Sequence, residues 1–258
     1  MPKVSVTIIT KNEETDIGAA ISSVRWADEI VVVDSQSTDR TAEIASAAGA
    51  RVIVRDWPGY VAQKNFAAGA AANDWILSLD ADERVTPALA SQIRQAVAQP
   101  GHAAFQMRRL NWHLGRWING TDWYPDYQVR LYDRRAAEWT GQLVHEGLAV
   151  RGSTGRLSAD LEHYAYRDIT DHLDTINRYT TLAAQQMHEA GRRASVWQLL
   201  CHGPLAFLRN YLLKGGWRMG AVGVIVSGMN AYYVFLKFAK LWQLQTPLQS
   251  GRNRQESA

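Results

Sequence analysis

Two hydrophobic rhythms alternate along the first hundred residues. Val4-Ser5-Val6-Thr7-Ile8-Ile9-Thr10 is rich in β-branched residues and predicts a buried strand. Glu14 to Ala27 places Ile17, Ala20, Ile21 and Val24 at helical spacing. Glu29 to Asp34, "EIVVVD", is a near-continuous apolar run, as expected of an interior parallel strand. Ser37-Thr38-Asp39 supplies helix-start residues for a helix over Thr41 to Ala48, which Gly49 closes. Arg51 to Val54, Tyr60 to Ala72 and Asp74 to Leu79 then read as strand, helix and strand. Thr86-Pro87 caps a further helix to Ala98. This alternation, with short connections, implies a parallel sheet with helices on both faces. In such sheets ligands gather beyond the carboxyl ends of the strands, so Thr10–Glu13, Asp34–Ser37 and Asp80–Glu83 can meet at one edge.

After Gly101 the rhythm changes. Ala103 to Arg109 and Tyr127 to Tyr132 read as strands around an aromatic loop, "NWHLGRWINGTDWYPDY". Asp168 to Glu189, about Val196 to Leu213, and Gly220 to Gln243 read as helices. The expected organisation is an α/β domain over 1–165, with a first half to about residue 100 and a second half beyond it. A helical extension follows over 166–246, and a disordered tail over 247–258.

Charge sharpens this division. Up to Glu189 the chain holds 24 acids and 19 Lys or Arg; from Ala190 to Gln255 there are nine basic residues and no acid. The last third is thus basic, apolar and aromatic, which suits an anionic partner such as a membrane surface. The acidic first part, with no nucleic-acid recognition motif, argues against a nucleic-acid binder. A single cysteine, Cys201, excludes an intramolecular disulfide. The short apolar run before Lys11 is not expected to act as a signal peptide.

The stretch "LSLDADER" puts three carboxylates within four residues at a strand end. Such crowding is unfavourable unless a cation compensates it. Alternate residues of an extended segment share a side, so Asp80 and Asp82 can face one divalent metal (Mg or Mn) whose shell a diphosphate completes. An acidic solvated turn ahead of a helix is the plainer alternative. Asp34 ends its strand deep enough to accept hydrogen bonds from a base or ribose, while Ser37 and Thr38 suit a capping loop.

Four segments in register, "VSVTIITKNEE", "EIVVVDSQSTDRT", "GYVAQKNFA" and "WILSLDADERV", resemble the inverting family 2 glycosyltransferases of GT-A fold. The "QKN" and "DADE" variants, with "PDYQVRLYDRR" and "VHE" downstream, resemble the subgroup of bacterial lipopolysaccharide core β-1,4-glucosyltransferases and related envelope-glycan enzymes. The resemblance implies a UDP-sugar donor, probed by Thr10, Asn12, Glu13 and Asp34 at the uridine and by Lys64 near the phosphates. It implies Asp80 on ribose or metal, and Asp82 on the metal. An inverting transfer needs a base for the acceptor hydroxyl. The Glu-Asp pair of many relatives is missing here, which leaves Glu146, in "VHE", with Asp126, in "YPDYQ", as the second candidate. Trp112, Trp117, Trp123 and Tyr124 offer flat apolar faces to acceptor sugars. Arg108, Arg109 and Arg130 could meet acidic groups on an anionic glycolipid, and Arg130 and His145 are further acceptor-side candidates.

Met219 to Leu236 is an eighteen-residue uncharged run between Arg218 and Lys237, at the lower limit for crossing a bilayer. Gly220, Gly223, Ser227 and Asn230 fall on one helical face and predict close packing instead. The favoured expectation is a cytoplasmic enzyme attached peripherally to the inner membrane, transferring a hexose, glucose from UDP-glucose in the first instance, to a lipopolysaccharide-type glycolipid. Another polysaccharide or lipid-linked acceptor, or a non-catalytic sugar-nucleotide binder, stands as the alternative. An Asp-x-Asp phosphotransferase is disfavoured, because such enzymes carry that motif on their first strand and here that strand ends Thr-Lys-Asn-Glu.

Overall fold

The computed structural model describes residues 2–141 and 146–245. His145 and the expected disordered tail lie outside the described residues. The chain divides into two units, one comprising residues up to Asn119 with Trp123–Ala165, the other Gly120–Asp122 with the residues from Tyr166 onward.

The first unit begins with β1 (Val4–Thr10), α1 (Ile17–Ser23), β2 (Glu29–Asp34), α2 (Thr41–Ala47), β3 (Arg51–Val54), α3 (Tyr60–Ala70) and β4 (Trp75–Asp80). It continues through β5 (Glu83–Val85), α4 (Pro87–Ala98), β6 (Ala104–His113), β7 (Arg116–Ile118), β8 (Asp126–Asp133), β9 (Ala137–Thr140), β10 (Gly147–Val150) and β11 (Thr154–His163). The main sheet runs β3-β2-β1-β4-β8-β6-β11-β5, with β7 paired to β6. β1 to β4 are parallel, as the alternation with helices requires. From β4 to β8 and from β8 to β6 the pairing turns antiparallel, so the sheet is mixed and not wholly parallel.

Residue alternation sorts the core. Val4, Val6, Ile8, Val32, Leu77 and Leu79 pack on one face against Ile17 and Ile21 of α1, Ala45 of α2 and Leu89 and Ile93 of α4. Val31, Val33 and Ile76 point the other way, onto Ala67 and Ala68 of α3 with Tyr132 and Trp139. Each fully buried Leu or Ile contributes about 1.5–3 kcal/mol by leaving water. α4 starts where expected: Thr86 Oγ1 accepts from the Leu89 N–H at 3.2 Å.

The second unit comprises α5 (Ile169–Glu189), α6 (Val196–Leu208) and α7 (Ala221–Gln245). Ser195 opens α6 with a reciprocal cap, its Oγ accepting from Gln198 N–H while Gln198 Oε1 accepts from Ser195 N–H. α6 stops short of the expected Leu213; the chain widens into a π-type turn over Arg209–Leu213 and then a 3-10 turn over Gly216–Met219. Gly223 and Ser227 of the small-residue stripe are buried, and a Cβ on Gly223 would lie 1.8 Å from the Gly216 carbonyl oxygen. Within the same unit Asp122 accepts from Asn210 Nδ2 (3.0 Å), Asn230 Nδ2 (3.3 Å) and Arg209.

Candidate active site

Strand register fixes the starting geometry. Thr10 pairs with Asp34 and Ile9 with Asp80, so the ends of β2, β1 and β4 stand side by side. The loops after β1 and β2 are laced together. Asn12 N–H donates to Ser37 Oγ (2.8 Å), Asn12 Oδ1 accepts from Thr38 N–H (2.8 Å), and Glu13 N–H donates to Thr41 Oγ1 (2.7 Å). Asn12 holds a left-handed backbone, φ 56°, that asparagine tolerates better than most residues. Asp34 is buried and accepts from both the N–H (2.9 Å) and the hydroxyl of Ser37. Its carboxylate thus shapes the loop. Thr10 Oγ1 is buried with no hydrogen-bond partner among the described residues. Beside these loops Gln63 Nε2 donates to Ser35 Oγ at 3.0 Å.

Lys64 sits on α3 at 5% exposure, unusual for a lysine unless paired. Its Nζ lies 3.5 Å from Asp80 Oδ1 and 3.2 Å from Glu146 Oε1, and 4.4 Å from the centre of the Trp139 ring. One ammonium therefore links the Asp-x-Asp end to the "VHE" glutamate, which lies 82 residues after Lys64 in sequence. Glu146 Oε2 is buried without a partner among the described residues.

Beneath Asp80 lies a second cation. Arg130 Nη2 donates to Asp80 Oδ2 and to Glu83 Oε1 (2.6 Å), and Glu83 Oε2 accepts from the Asp80 N–H at 3.0 Å. Arg130 is 4% exposed and Glu83 is fully buried, so this arginine cannot meet an acceptor as expected; it is the counter-charge of two acids on the floor of the site. Burial alone would raise the Asp80 carboxyl, but Arg130 and then Lys64 outweigh it and hold Asp80 well below the usual carboxylate range. Burial pushes Glu83 the other way, above its ordinary value, with Arg130 opposing and Asp80 adding to the rise.

Asp82 faces a residue that the sequence reading did not single out. His163, the last residue of β11, brings Nε2 to 3.2 Å from Asp82 Oδ2 and Nδ1 to 2.6 Å from Asn111 Oδ1. Asn111 Nδ2 donates to the Trp123 carbonyl at 3.2 Å, which orients the amide so that His163 Nδ1–H is the donor. A neutral ring then turns the Nε2 lone pair toward a carboxylate, an arrangement that a proton or a metal cation reconciles. Asp82 Oδ1 is also buried and unpartnered among the described residues. This donor set, one carboxylate and one imidazole, fits a divalent cation that keeps water and phosphate ligands. Among the described residues no three His, Cys, Asp or Glu side chains gather closely enough to hold a metal alone.

The two base candidates differ in their surroundings. Asp126 lies opposite Arg109 in the β6–β8 pairing and accepts from Arg109 Nε (2.9 Å) and Nη2 (2.8 Å) through one oxygen and from Gln128 Nε2 (2.8 Å) through the other. Both its oxygens are engaged, whereas one oxygen of Glu146 has no partner among the described residues. Trp112 and Trp117 pack edge to face at 5.0 Å and enclose Tyr164, which follows His163 directly, at 6.3 and 5.5 Å. Trp123 lies against His113 at 5.6 Å. The Tyr124 hydroxyl donates to Asp160, which also receives Arg108 Nε, so that tyrosine is committed within the protein.

A mixed Rossmann-like sheet with acidic and cationic groups at the ends of β1, β2 and β4 is the GT-A arrangement, and comparison with known proteins agrees. Residues 5–149 match the glycosyl transferase family 2 profile, and the chain belongs to that family. It is 33% identical over 253 residues to the lipopolysaccharide core biosynthesis glycosyltransferase LpsC of Rhizobium meliloti, covering 93% of this chain and 92% of that protein. It is 32% identical over 257 residues to an uncharacterized glycosyltransferase of Rickettsia typhi, covering 95% and 88%. Among solved structures, mannosyl-3-phosphoglycerate synthase from Rubrobacter xylanophilus is 18% identical, with a TM-score of 0.47 over 76% of this chain and 77% of that one.

Proposed function

We propose that this protein is an inverting, metal-dependent glycosyltransferase that moves a hexose, glucose from UDP-glucose, onto a lipopolysaccharide core or related envelope glycolipid at the cytoplasmic face of the inner membrane. The observation that carries this reading is the Asp80–Lys64–Glu146 bridge, which sets a carboxylate with one oxygen unpartnered among the described residues beside the Asp-x-Asp end. The full-length similarity to a Rhizobium meliloti protein named for lipopolysaccharide core biosynthesis supports the acceptor class.

In the proposed reaction the acceptor hydroxyl oxygen attacks the anomeric carbon from the face opposite the diphosphate. Glu146 Oε2 takes the hydroxyl proton, and the bond from the anomeric carbon to the diphosphate oxygen breaks. Lys64 stands where it can hold Glu146 in place and offset charge on the diphosphate. Asp82 and His163 would hold the divalent ion, which supplies positive charge for the departing phosphate oxygen. Asp80 remains ionised against Arg130 and Lys64, ready to accept from ribose hydroxyls. The loops at Thr10–Glu13 and Asp34 border the uridine, and Trp112 and Trp117 lie on the acceptor side. Purified protein with manganese and a panel of nucleotide-sugars, assayed for donor hydrolysis and for transfer to a deacylated core oligosaccharide, tests the reading. UDP-glucose turnover that Asp82→Ala abolishes is expected; turnover equal in parent and variant would sink the site assignment.

A further inference from the structure

The second unit has an inverted surface. On a helix of a water-soluble unit the edge turned away from its neighbours carries polar residues. On α6 the packed edge is marked by Gly203, whose Cβ would meet the Ala231 carbonyl oxygen at 3.3 Å and Phe235 Cβ at 3.5 Å on α7. The outward edge is apolar: Trp197 (69% exposed), Leu200, Leu205, Leu208, Leu212 and Leu213 (82% exposed) follow helical spacing through the π-type turn. Basic residues flank this stripe, Arg192 and Arg193 before α6 and Lys214 and Arg218 after Leu213. From Ala190 to Gln245 there is no acid.

α7, not α6, has the length and composition to cross a bilayer. Yet Lys240 Nζ of α7 lies within 2.9 Å of four oxygens of α5, on Asn177, Thr180 and Thr181. A crossing α7 would draw α5, with its exposed Asp174 and Arg178, into hydrocarbon. A second copy presenting the same face would bring like charges together. An anionic lipid surface satisfies both features, since it takes the leucines among acyl chains and offers phosphates to the flanking arginines and lysines.

We infer that the outward edge of α6, continuing to Leu213, is a monotopic insertion surface for an anionic phospholipid bilayer, with α7 packed against its opposite edge at Gly203. This extends the peripheral attachment in the function proposed above by naming the element that makes it. It is read without any sugar substrate, so it can fail while the transferase reading stands, and donor hydrolysis in vesicle-free solution reports the latter separately.

The test is flotation of the full chain with vesicles of phosphatidylcholine alone or mixed with phosphatidylglycerol. The parent should partition about tenfold better onto the anionic vesicles. Leu200→Gln/Leu205→Gln/Leu208→Gln should lower that partitioning on the order of 100-fold, with unchanged far-UV circular dichroism and donor hydrolysis. Leu213→Gln replaces the triple variant should the latter not fold. In a Cys201→Ser background, an environment-sensitive fluorophore on Leu213→Cys should shift to the blue on vesicles while one on Asp174→Cys does not. Equal flotation of parent and leucine variants, a shift at position 174, or resistance of the bound parent to alkaline carbonate would overturn the inference, the last two in favour of a spanning helix. Absence of vesicle binding with leucine-dependent dimerisation would overturn it in favour of a second copy.

Discussion

Arg130→Met isolates the physics of the site floor. Arg130 is 4% exposed and bridges Asp80 and the fully buried Glu83. Once the guanidinium is gone, Glu83 keeps the Asp80 N–H at 3.0 Å and Arg109 Nη1 at 3.9 Å. Stripping a buried carboxylate of its cation costs about 3–5 kcal/mol, and each kcal/mol lowers Tm by roughly 2–4 °C in a chain of this size, so a fall of roughly 6–20 °C is expected. Asp80 contributes less, because it is partly exposed and retains Lys64. The pH dependence has a definite sign. Burial already raises Glu83 above 4.5, and losing Arg130 raises it further. A carboxyl raised by folding contributes stability below its unfolded value and loses it as pH rises through the folded value. Asp80 shifts down in the parent, a contribution present above 3.8 and lost on acidification, so removing its partner also costs least in acid. The deficit of the variant should therefore be smallest near about pH 5 and largest near about pH 8. Differential scanning calorimetry across that range measures it. Glu83→Gln/Arg130→Met should recover at least half the loss, since neutralising both partners is milder than orphaning one. A midpoint within about 2 °C of the parent at pH 8, or a deficit that widens in acid, would refute the assignment of Arg130 as counter-charge.

Three further outcomes are expected. Glu146→Gln should lower kcat by about 10²–10⁴-fold with donor KM little changed, and Asp126→Asn should do less; the opposite order in a transfer assay would move the base to Asp126. Asp82→Asn and His163→Gln should each weaken manganese binding by about 10–100-fold in calorimetric titrations with UDP present, and isotherms identical to the parent would remove His163 from the metal site. Gly223→Ala should cost about 1–3 kcal/mol or more, because its Cβ would fall 1.8 Å from a backbone oxygen; an unchanged helical melting curve would contradict the close approach of Gly223 to Gly216.

The parallel half of the sheet was readable because β1, β2 and β4 are apolar runs that end sharply in polar residues, and Lys64, Asp80 and Glu146 belong to segments that resemble a known family. The rest was hidden for specific reasons. β11, "TGRLSADLEH", mixes exposed and buried residues with three charges and gives no strong strand signal. Its His163 acquires meaning only from Asn111, 52 residues away, and Asp82, 81 residues away. Arg130 reads as an acceptor-side residue because local sequence carries no sign that two acids about fifty residues away enclose it. In an ideal strand Glu83 would point away from Asp80 and Asp82, yet it accepts from the Asp80 N–H and Arg130 and belongs to the floor of the site.

The lacing of the loops after β1 and β2 has a consequence for how this scaffold can be altered. Contacts from Asn12, Glu13 and Glu14 to Ser37, Thr38, Asp39, Arg40 and Thr41 match backbone groups of one loop to particular side chains or amides of the other. Inserting one residue in either loop would shift every later partner by a position and undo the set together. The two loops therefore form a single mechanical part of fixed length. Any property carried by these loops can be altered only by exchanging side chains, not by changing their length.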